Sequence, residues 1–249
     1  MTKQKKQVAY IVYPGINLLD LTGIFSAMQG LTSADYEGFT IAEHQQLLDS
    51  DTVLSVIPEK TFDEAPHPEW LVVIGGGVAT LKALGNNALR DYVLQAAGSA
   101  EKVIGVSTGA LLLAGLGLMD GRKATTHWTY INLLPKFGAV SVQQRWVEDG
   151  KFITCAGATT GYELGLRLLA RYTNEALARR HQIRYEYDPE PPFGEIDRGT
   201  TDQITLTSIL SNHQYELKAA LQSRPELYRV LYATEATEIR EQLTRKAEG

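Results

Sequence analysis

The sequence predicts an α/β fold in which helices cover a mostly parallel sheet. The first observation is a set of short apolar runs rich in β-branched residues, which suit strands buried on both faces. The second is the helical spacing of apolar residues between these runs, because alternation of strand and helix is typical of a parallel sheet. The third is the turn signal of glycine, proline or serine that closes each run. Ligands of such sheets bind at the carboxyl ends of the strands.

The elements follow in order along the chain. Strands are predicted at residues 8–13, 71–74, 103–106 and 152–155. Helices are predicted at residues 18–31, 88–97 and 161–172, with a further helix that ends near residue 181. The prolines within residues 185–194 predict a loop or an extended arm.

The pattern changes after Gly199, which predicts a second part of the chain. We expect an α/β domain over residues 1–199 and a mostly helical appendage over residues 200–249. Within this appendage, residues 214–247 are predicted as two helices that break near Pro225.

Composition limits the classes of protein that fit. The chain has 249 residues, 44% of them hydrophobic and 21% charged, so it can bury a core and is not disordered. Its net charge of −5 makes nucleic acid an unexpected partner. One cysteine excludes an internal disulfide, and the histidines lack ligand spacing, so neither a metal nor a cofactor is expected. No apolar run approaches the ~20 residues of a membrane span, so we expect a soluble, cytoplasmic protein without a membrane partner.

Residues 103–112 contain the pattern with the clearest chemical meaning. A buried strand ends at Val106, the chain turns at Ser107, and a helix of small and apolar residues begins. Gly105 and Gly109 flank the turn, where side chains would crowd the neighbouring backbone. This pattern is typical of a nucleophile elbow, in which the helix start stabilises an anion. The alternative is a plain strand–helix turn with Ser107 as the helix N-cap.

Three glycines, Gly75 to Gly77, follow another predicted central strand. Glycines allow backbone N–H groups to approach a ligand closely, so Gly76 and Gly77 are candidates for an oxyanion hole. The segment lacks the last glycine of a dinucleotide fingerprint and no Lys-Ser or Lys-Thr pair follows it, which excludes a nucleotide loop. The alternative is a flexible strand–helix connection.

Asp20 is the candidate acid–base residue. It lies between two leucines early in the first predicted helix. If its carboxyl is partly buried, desolvation raises its pKa and allows it to exchange protons near neutral pH. A helix cap is the competing role for this residue.

Three further residues have both a chemical and a structural interpretation. His127 is a candidate pocket residue, and it could equally orient the start of a helix. Thr160 opens a helix and is a candidate for contact with the site, with capping as the simpler role. Cys155 lies in an apolar strand and is expected to be a small buried residue rather than a nucleophile.

Together these residues resemble a known family. Asp20, the glycines after Ile74, the turn at Ser107 and residues 123–128 are similar to the ThiJ/PfpI superfamily, which is class I glutamine amidotransferase-like. Within it, the chain resembles the isonitrile hydratases and the sensor domains of some AraC-type regulators. Residues 156–161 and the proline-rich arm match that subgroup too, and the resemblance covers about residues 7–195.

The resemblance implies a flavodoxin-like parallel sheet sandwiched by helices and a homodimer with the site near its interface. It implies that a cysteine at the elbow attacks the carbon of an isonitrile, a small-molecule substrate. An aspartate at the position of Asp20 handles protons, and water completes the conversion to an N-substituted formamide. Thr108 matches the threonine that follows the nucleophile in this subgroup. Protease-like members have histidine there, so peptidase activity is not expected.

Ser107 departs from the family pattern, in which this residue is cysteine. A thiol has a reference pKa of about 8.5, whereas an alcohol ionises far higher and needs an adjacent base. Two explanations are open: an engineered replacement that silences the enzyme, or a natural serine in a small-molecule binding or sensor homologue or one with altered chemistry. A third interpretation is a serine hydrolase, since residues 105–109 fit G-x-S-x-G and Asp197 and His213 follow in triad order.

Overall fold

The structure is a computed structural model that describes residues 5–222, with side chains described for residues 5–219. Its strands are β1 (Lys6–Ile11), β2 (Tyr36–Ala42), β3 (Leu48–Asp49), β4 (Ser55–Val56), β5 (Lys60–Thr61), β6 (Trp70–Val73), β7 (Lys102–Val106), β8 (Lys123–Ala124), β9 (Val140–Ser141), β10 (Trp146–Asp149) and β11 (Phe152–Cys155). Its helices are α1 (Leu18–Met28), α2 (Val78–Ala83), α3 (Asn87–Ser99), α4 (Gly109–Gly115), α5 (Ala158–Tyr172), α6 (Glu175–Arg184) and α7 (Gln203–Gln222). Short 3₁₀ helices occur at Gln29–Ala34, Phe62–Glu64, Trp128–Leu133 and Pro135–Phe137.

The central sheet has the strand order β10-β11-β7-β6-β1-β2-β5. All neighbouring pairs are parallel except β10 with β11, which is antiparallel. The side chains of β6 are fully buried, as expected of a strand that has helices on both faces of its sheet. The predicted α/β fold with a mostly parallel sheet is therefore confirmed.

The chain reverses its direction across the sheet between β1 and β6. From β1 it crosses through α1 to β2 on one side, whereas β6 lies on the other side of β1 and leads through α3 to β7. Right-handed crossovers in opposite directions place α1 and α3 on opposite faces of the sheet. In such a fold, the carboxyl ends of the strands beside the reversal form the crevice for ligands.

The helices α1 and α5 pack closely because small residues face each other between them. A Cβ atom at Gly165 would lie 2.6 Å from the Cβ of Ala27, and one at Gly23 would lie 3.1 Å from the carbonyl oxygen of Ala158. These contacts leave little freedom between the two backbones, so α1 is fixed against α5. Asp20 is part of α1 and is fixed with it.

The chain divides into two compact units, residues 1–181 and residues 182–249. The first unit contains the central sheet. In the second, the carboxylate of Asp202 accepts a hydrogen bond from the amide of Thr205 at 2.8 Å at the start of α7. The appendage over residues 200–249 stays a prediction, and the expected break near Pro225 lies outside the described residues. No helix in the part of the chain that the structure describes is both long and apolar enough to cross a membrane.

Candidate active site

Ser107 occupies a sharp turn between β7 and α4. Its φ of 53° lies in the left-handed region, which side chains other than glycine rarely adopt. Hydrogen bonds hold both of its backbone groups: its amide donates to the carbonyl of Cys155 at 2.9 Å, and the Thr126 hydroxyl donates to its carbonyl at 2.8 Å. The N-cap position of α4 is Thr108 rather than Ser107. The turn therefore presents the serine side chain at the strand end instead of using it as a cap.

The carboxyl of Asp20 lies against Ser107. Asp20 is buried, with 3% of its surface exposed, and its carboxylate accepts a hydrogen bond from the Ser107 hydroxyl. The pKa of Asp20 is raised to about 7: desolvation is the largest cause, the hydrogen bond from Ser107 opposes it, and the charge of Asp51 adds to it. The group is thus poised to give or take a proton near neutral pH.

Gly75 makes room for this pair. A Cβ atom at position 75 would lie 2.5 Å from Oδ2 of Asp20 and 2.9 Å from Cβ of Ser107. Such distances are shorter than real Cβ contacts, so any larger residue would force the carboxyl or the turn to move. Three strand ends therefore meet here: Asp20 follows β1, Gly75 follows β6, and Ser107 follows β7.

A chain of hydroxyl groups behind the turn fixes the glycine loop. The Thr108 hydroxyl oxygen accepts hydrogen bonds from the amides of Gly76 at 3.0 Å and Gly77 at 2.9 Å. The Tyr13 hydroxyl donates its proton to the carbonyl of Ile74 at 2.6 Å, so it must accept the hydrogen bond of 2.8 Å from the Thr80 hydroxyl. Thr80 in turn accepts from the Thr108 hydroxyl at 2.7 Å. Every donor of this buried chain has one acceptor.

This arrangement bears on three candidate residues. Both glycine amides are directed at Thr108, and the Thr108 oxygen is saturated by its three hydrogen bonds. An oxyanion role for Gly76 and Gly77 stays a prediction, and it requires a ligand to replace Thr108 as their acceptor. In the structure, Thr108 acts by holding the loop that contacts Asp20.

His127 begins a polar and aromatic segment near the site. Its Nδ1 shares a hydrogen bond of 2.8 Å with the Thr129 hydroxyl, and its Cδ2 lies 3.8 Å from the position of a Cβ at Gly157. The 3₁₀ helix that follows His127 brings the Tyr130 hydroxyl to 3.1 Å from the position that a Cβ atom would take at Gly77. Tyr130 thus contacts the glycine loop, whereas His127 lies beside Gly157. Tyr130 follows His127 by three residues, a spacing that places both on one face of a 3₁₀ helix and could have identified Tyr130 from the sequence.

Cys155 ends β11 beside the turn, and Thr160 lies in the first turn of the following helix, α5. The Thr160 hydroxyl accepts from the amide of Gly157 at 2.9 Å and donates to its carbonyl at 2.7 Å, so it orders the start of α5. Cys155 is fully buried, and desolvation, followed by the charge of Asp20, raises its pKa to about 12. Its thiol is therefore protonated at neutral pH and is poorly suited to act as a nucleophile.

Sequence reasoning missed the residues that hold the site in place. The Thr126 hydroxyl donates a hydrogen bond to the carbonyl of Ser107, and Oδ1 of Asn17 accepts one from the amide of Asp20 at 2.9 Å. The contact of Thr126 with Ser107 leaves no spacing in the sequence, because the two residues lie on separate elements. Asn17 stands three residues before Asp20, the usual spacing of an N-cap, and this signal could have identified it. Among the described residues, no cluster of three or more His, Cys, Asp or Glu side chains is arranged to hold a metal ion.

The parallel sheet, the left-handed serine at the end of β7 and the buried carboxyl against it define an α/β protein with a strand–turn–helix site. The chain belongs to the DJ-1/PfpI family, whose model matches residues 6–171. Membership of the ThiJ/PfpI superfamily, expected from the motifs, is confirmed.

The chain is similar to several known proteins of this family. It is 34% identical to the isonitrile hydratase of Pseudomonas putida over 89% of this chain and 94% of that protein. It is 29% identical to the HTH-type transcriptional regulator CdhR of Pseudomonas aeruginosa, over 68% of this chain and 51% of the regulator. The crystal structure of a ThiJ/PfpI family protein from Pseudomonas syringae superimposes with a TM-score of 0.79, at 29% identity, over 87% of this chain and 89% of that chain.

Proposed function

We propose that this chain is an isonitrile hydratase-type protein whose site binds a small isonitrile between Asp20 and residue 107. One observation carries the proposal: a buried carboxyl with a pKa near 7 lies against the side chain at the strand-end turn. The similarity to the isonitrile hydratase of Pseudomonas putida, which spans nearly the whole of both chains, supports this substrate class. By the family resemblance, we also propose that the chain works as a homodimer.

The reaction adds one water molecule to the isonitrile. With cysteine at position 107, the sulfur forms a bond to the terminal carbon, and that carbon takes up a proton, which gives a thioimidate. Water then adds its oxygen to the same carbon and a proton to the nitrogen, and the carbon–sulfur bond breaks as the proton of the new hydroxyl passes to the leaving sulfur. The product is the N-substituted formamide. Asp20 suits these proton transfers, because a group with a pKa near the working pH exchanges protons readily in either direction.

Serine at position 107 changes the first step. An alcohol must lose its proton to a base as it attacks, and the neighbour of Ser107 is a carboxyl with a pKa of only about 7. We therefore propose that the protein with Ser107 binds isonitriles but turns them over poorly or not at all.

The test is to replace Ser107 by cysteine and to follow formamide production from simple alkyl and aryl isonitriles. We expect Ser107→Cys to exceed the parent by at least about 100-fold, because the thiol ionises so much more readily. Ser107→Ala controls for background reaction. Adding Asp20→Asn to Ser107→Cys should lower the rate by a further ~100-fold or more, the usual contribution of a general acid–base group. A folded Ser107→Cys protein that makes no formamide would contradict the proposal.

A non-catalytic binding or sensor homologue is the second candidate. It is favoured by Ser107 itself and by the similarity to a transcriptional regulator, of which this chain spans about half. Isonitrile binding by calorimetry without turnover in either the parent or Ser107→Cys would select this candidate.

A serine hydrolase is the third candidate. It would need a histidine base beside Ser107, whereas the partner of the Ser107 hydroxyl is Asp20. Of the two downstream residues in triad order, Asp197 accepts a hydrogen bond from the amide of Gly199 at 2.8 Å, and His213 lies on α7. Neither the contact of Asp197 nor the position of His213 on α7 supports hydrolase activity.

A further inference from the structure

The hairpin of β3 and β4 binds the segment that leads into α1. The amide of Asp51 donates to the carbonyl of Ile16 at 2.9 Å. The carboxylate of Asp51 then accepts two hydrogen bonds, from Nδ2 of Asn17 at 2.6 Å and from the amide of Leu18 at 2.9 Å. Leu18 is the first residue of α1, so Asp51 caps this helix from a separate part of the chain. Its negative charge at a helix start is also favourable.

Asn17 connects Asp51 to the site. Its Oδ1 accepts a hydrogen bond from the backbone amide of Asp20 at 2.9 Å, and its backbone amide donates to the carbonyl of Gly75 at 2.7 Å. Gly75 is the residue whose missing side chain leaves room for the Asp20 carboxyl beside Ser107. The residue that Asp51 holds is therefore hydrogen-bonded to the backbone of Asp20 through its side chain and to the loop against which the acid packs through its backbone amide.

We propose that Asp51 is a positioning residue for the Asp20 carboxyl, which it fixes against Ser107 through Asn17 and the first amide of α1. Asp51 is exposed and touches no reacting atom, so it positions the carboxyl only through these contacts. This inference rests on the proposed role of Asp20 as the group that handles protons.

Charge adds to the positional effect. The titratable groups around Asp20 are Tyr13 after β1, Cys155 at the end of β11 and Asp51 on the hairpin. Burial raises the pKa of both Tyr13 and Cys155, so these two groups are uncharged at neutral pH. Asp51 is the charged member of this set, and it favours the protonated form of Asp20. Solvent screens this contribution because Asp51 is exposed.

The experiment measures the titration of Asp20 directly, by carboxyl ¹³C NMR, with Asp20→Asn to assign the signal. Asp51→Asn removes the negative charge and the oxygen that accepts a hydrogen bond from Nδ2 of Asn17. Its remaining oxygen can still accept a hydrogen bond from the amide of Leu18. Asp49→Asn is the matched control, because Asp49 lies on the same hairpin, is exposed, and binds Gly15 through its backbone carbonyl only. We expect Asp51→Asn to lower the pKa of Asp20 by about half a unit, through lost charge and better hydration, and Asp49→Asn to leave it unchanged. Equal titration of Asp20 in the two variants would overturn the proposal.

A second variant separates the route through Asn17 from any general loss of order. Asn17→Ser keeps an oxygen that caps the amide of Asp20 but loses the donor to Asp51. We expect it to shift the titration in the same direction as Asp51→Asn but by less, because the charge of Asp51 remains, and we expect the double variant to shift it no further than Asp51→Asn alone. An unchanged Asp20 in Asn17→Ser, or additive shifts, would overturn this route. The variant also serves if Asp51→Asn does not fold.

Turnover provides a readout that depends on the proposed function. In the Ser107→Cys background, Asp51→Asn should lower the formamide rate by about 10-fold with little change in KM, since a misplaced acid slows the chemical step. Absence of turnover in Ser107→Cys itself would count against the proposed function alone, because the NMR titration still decides the role of Asp51. A normal rate in Asp51→Asn with an active Ser107→Cys would overturn the positioning role.

Discussion

The ends of β6 and β7 lie side by side in the sheet, but one lacks side chains and the other presents one. The chain leaves β6 through three glycines, and at Gly75 a Cβ atom would collide with both Asp20 and Ser107. It leaves β7 through a serine that keeps its side chain in a left-handed backbone conformation. One strand end provides space by giving up side chains, and the other places a side chain into that space. A site of this kind depends on the pair of strand ends rather than on either one.

The two strand ends also hold each other. The hydroxyl of Thr108, one residue beyond the serine, accepts hydrogen bonds from the amides of Gly76 and Gly77. Gly109 has no room for a Cβ, because that atom would overlap the carbonyl oxygen of Val73 in β6. A substitution at one strand end should therefore alter the structure of the other. Variants that alter only one of them would show that the two are independent.

The largest expected effect concerns the carboxyl that both strand ends face. Asp20 has its ordinary pKa near 3.8 in the unfolded chain and a pKa of about 7 in the folded one. The stability that it contributes is complete below pH 4 and is lost as pH rises through 7, since the native state holds the proton longer. At ~1.4 kcal/mol per pKa unit, the parent should lose on the order of 4 kcal/mol between pH 4 and pH 8 relative to Asp20→Asn.

Denaturant unfolding at a series of pH values measures this difference. Asp91→Asn, an exposed position on α3, serves as the control and should follow the parent at every pH. Parallel stability curves for the parent and Asp20→Asn would show that Asp20 is solvated and that the two strand ends do not enclose it.

The next effect tests the space provided by β6. Gly75→Ala should destabilise the fold by about 3 kcal/mol, because its Cβ would overlap the carboxyl of Asp20 and the serine turn. Gly98→Ala is a matched control in α3, where an added Cβ meets nothing within 4 Å and should be neutral or slightly stabilising. Thermal or urea unfolding compares the two. Equal stability of both variants would mean that position 75 is not tightly packed.

The smallest of the three effects tests the link between the strand ends. Thr108→Val removes the acceptor of two loop amides and should cost about 2 kcal/mol. Thr108→Ser keeps the hydroxyl and should cost less than about 1 kcal/mol. Hydrogen exchange of the Gly76 and Gly77 amides should be faster in the valine variant than in the serine variant. Unchanged exchange in Thr108→Val would indicate that these amides find their acceptor elsewhere.

Much of the fold could be predicted because its signals are local. The apolar runs that became β1, β6, β7 and β11 are buried on both faces, so each run shows its environment in its own residues. The short strands β3, β4, β5, β8 and β9 were not predicted, because two-residue strands have no periodicity to detect, and the longer strands β2 and β10 were also missed.

The candidate site was predicted in part for a related reason. Asp20, Gly75 and Ser107 each follow a recognisable strand, so their meeting at one edge follows from the parallel sheet. The acceptor of the Gly76 and Gly77 amides was not foreseen, because a hydrogen bond between two loops leaves no pattern in either sequence segment. Asp51 was missed for the same reason, since it reaches the start of α1 from a distant hairpin.

The left-handed backbone at Ser107 has a thermodynamic meaning for the protein as a whole. Any residue with a Cβ atom loses roughly 1–2 kcal/mol in this conformation, whereas glycine loses almost nothing. A bend that served only to connect a strand to a helix would be most stable with glycine. The presence of a hydroxyl-bearing residue means that the fold accepts a less stable bend in order to keep a polar group in the crevice.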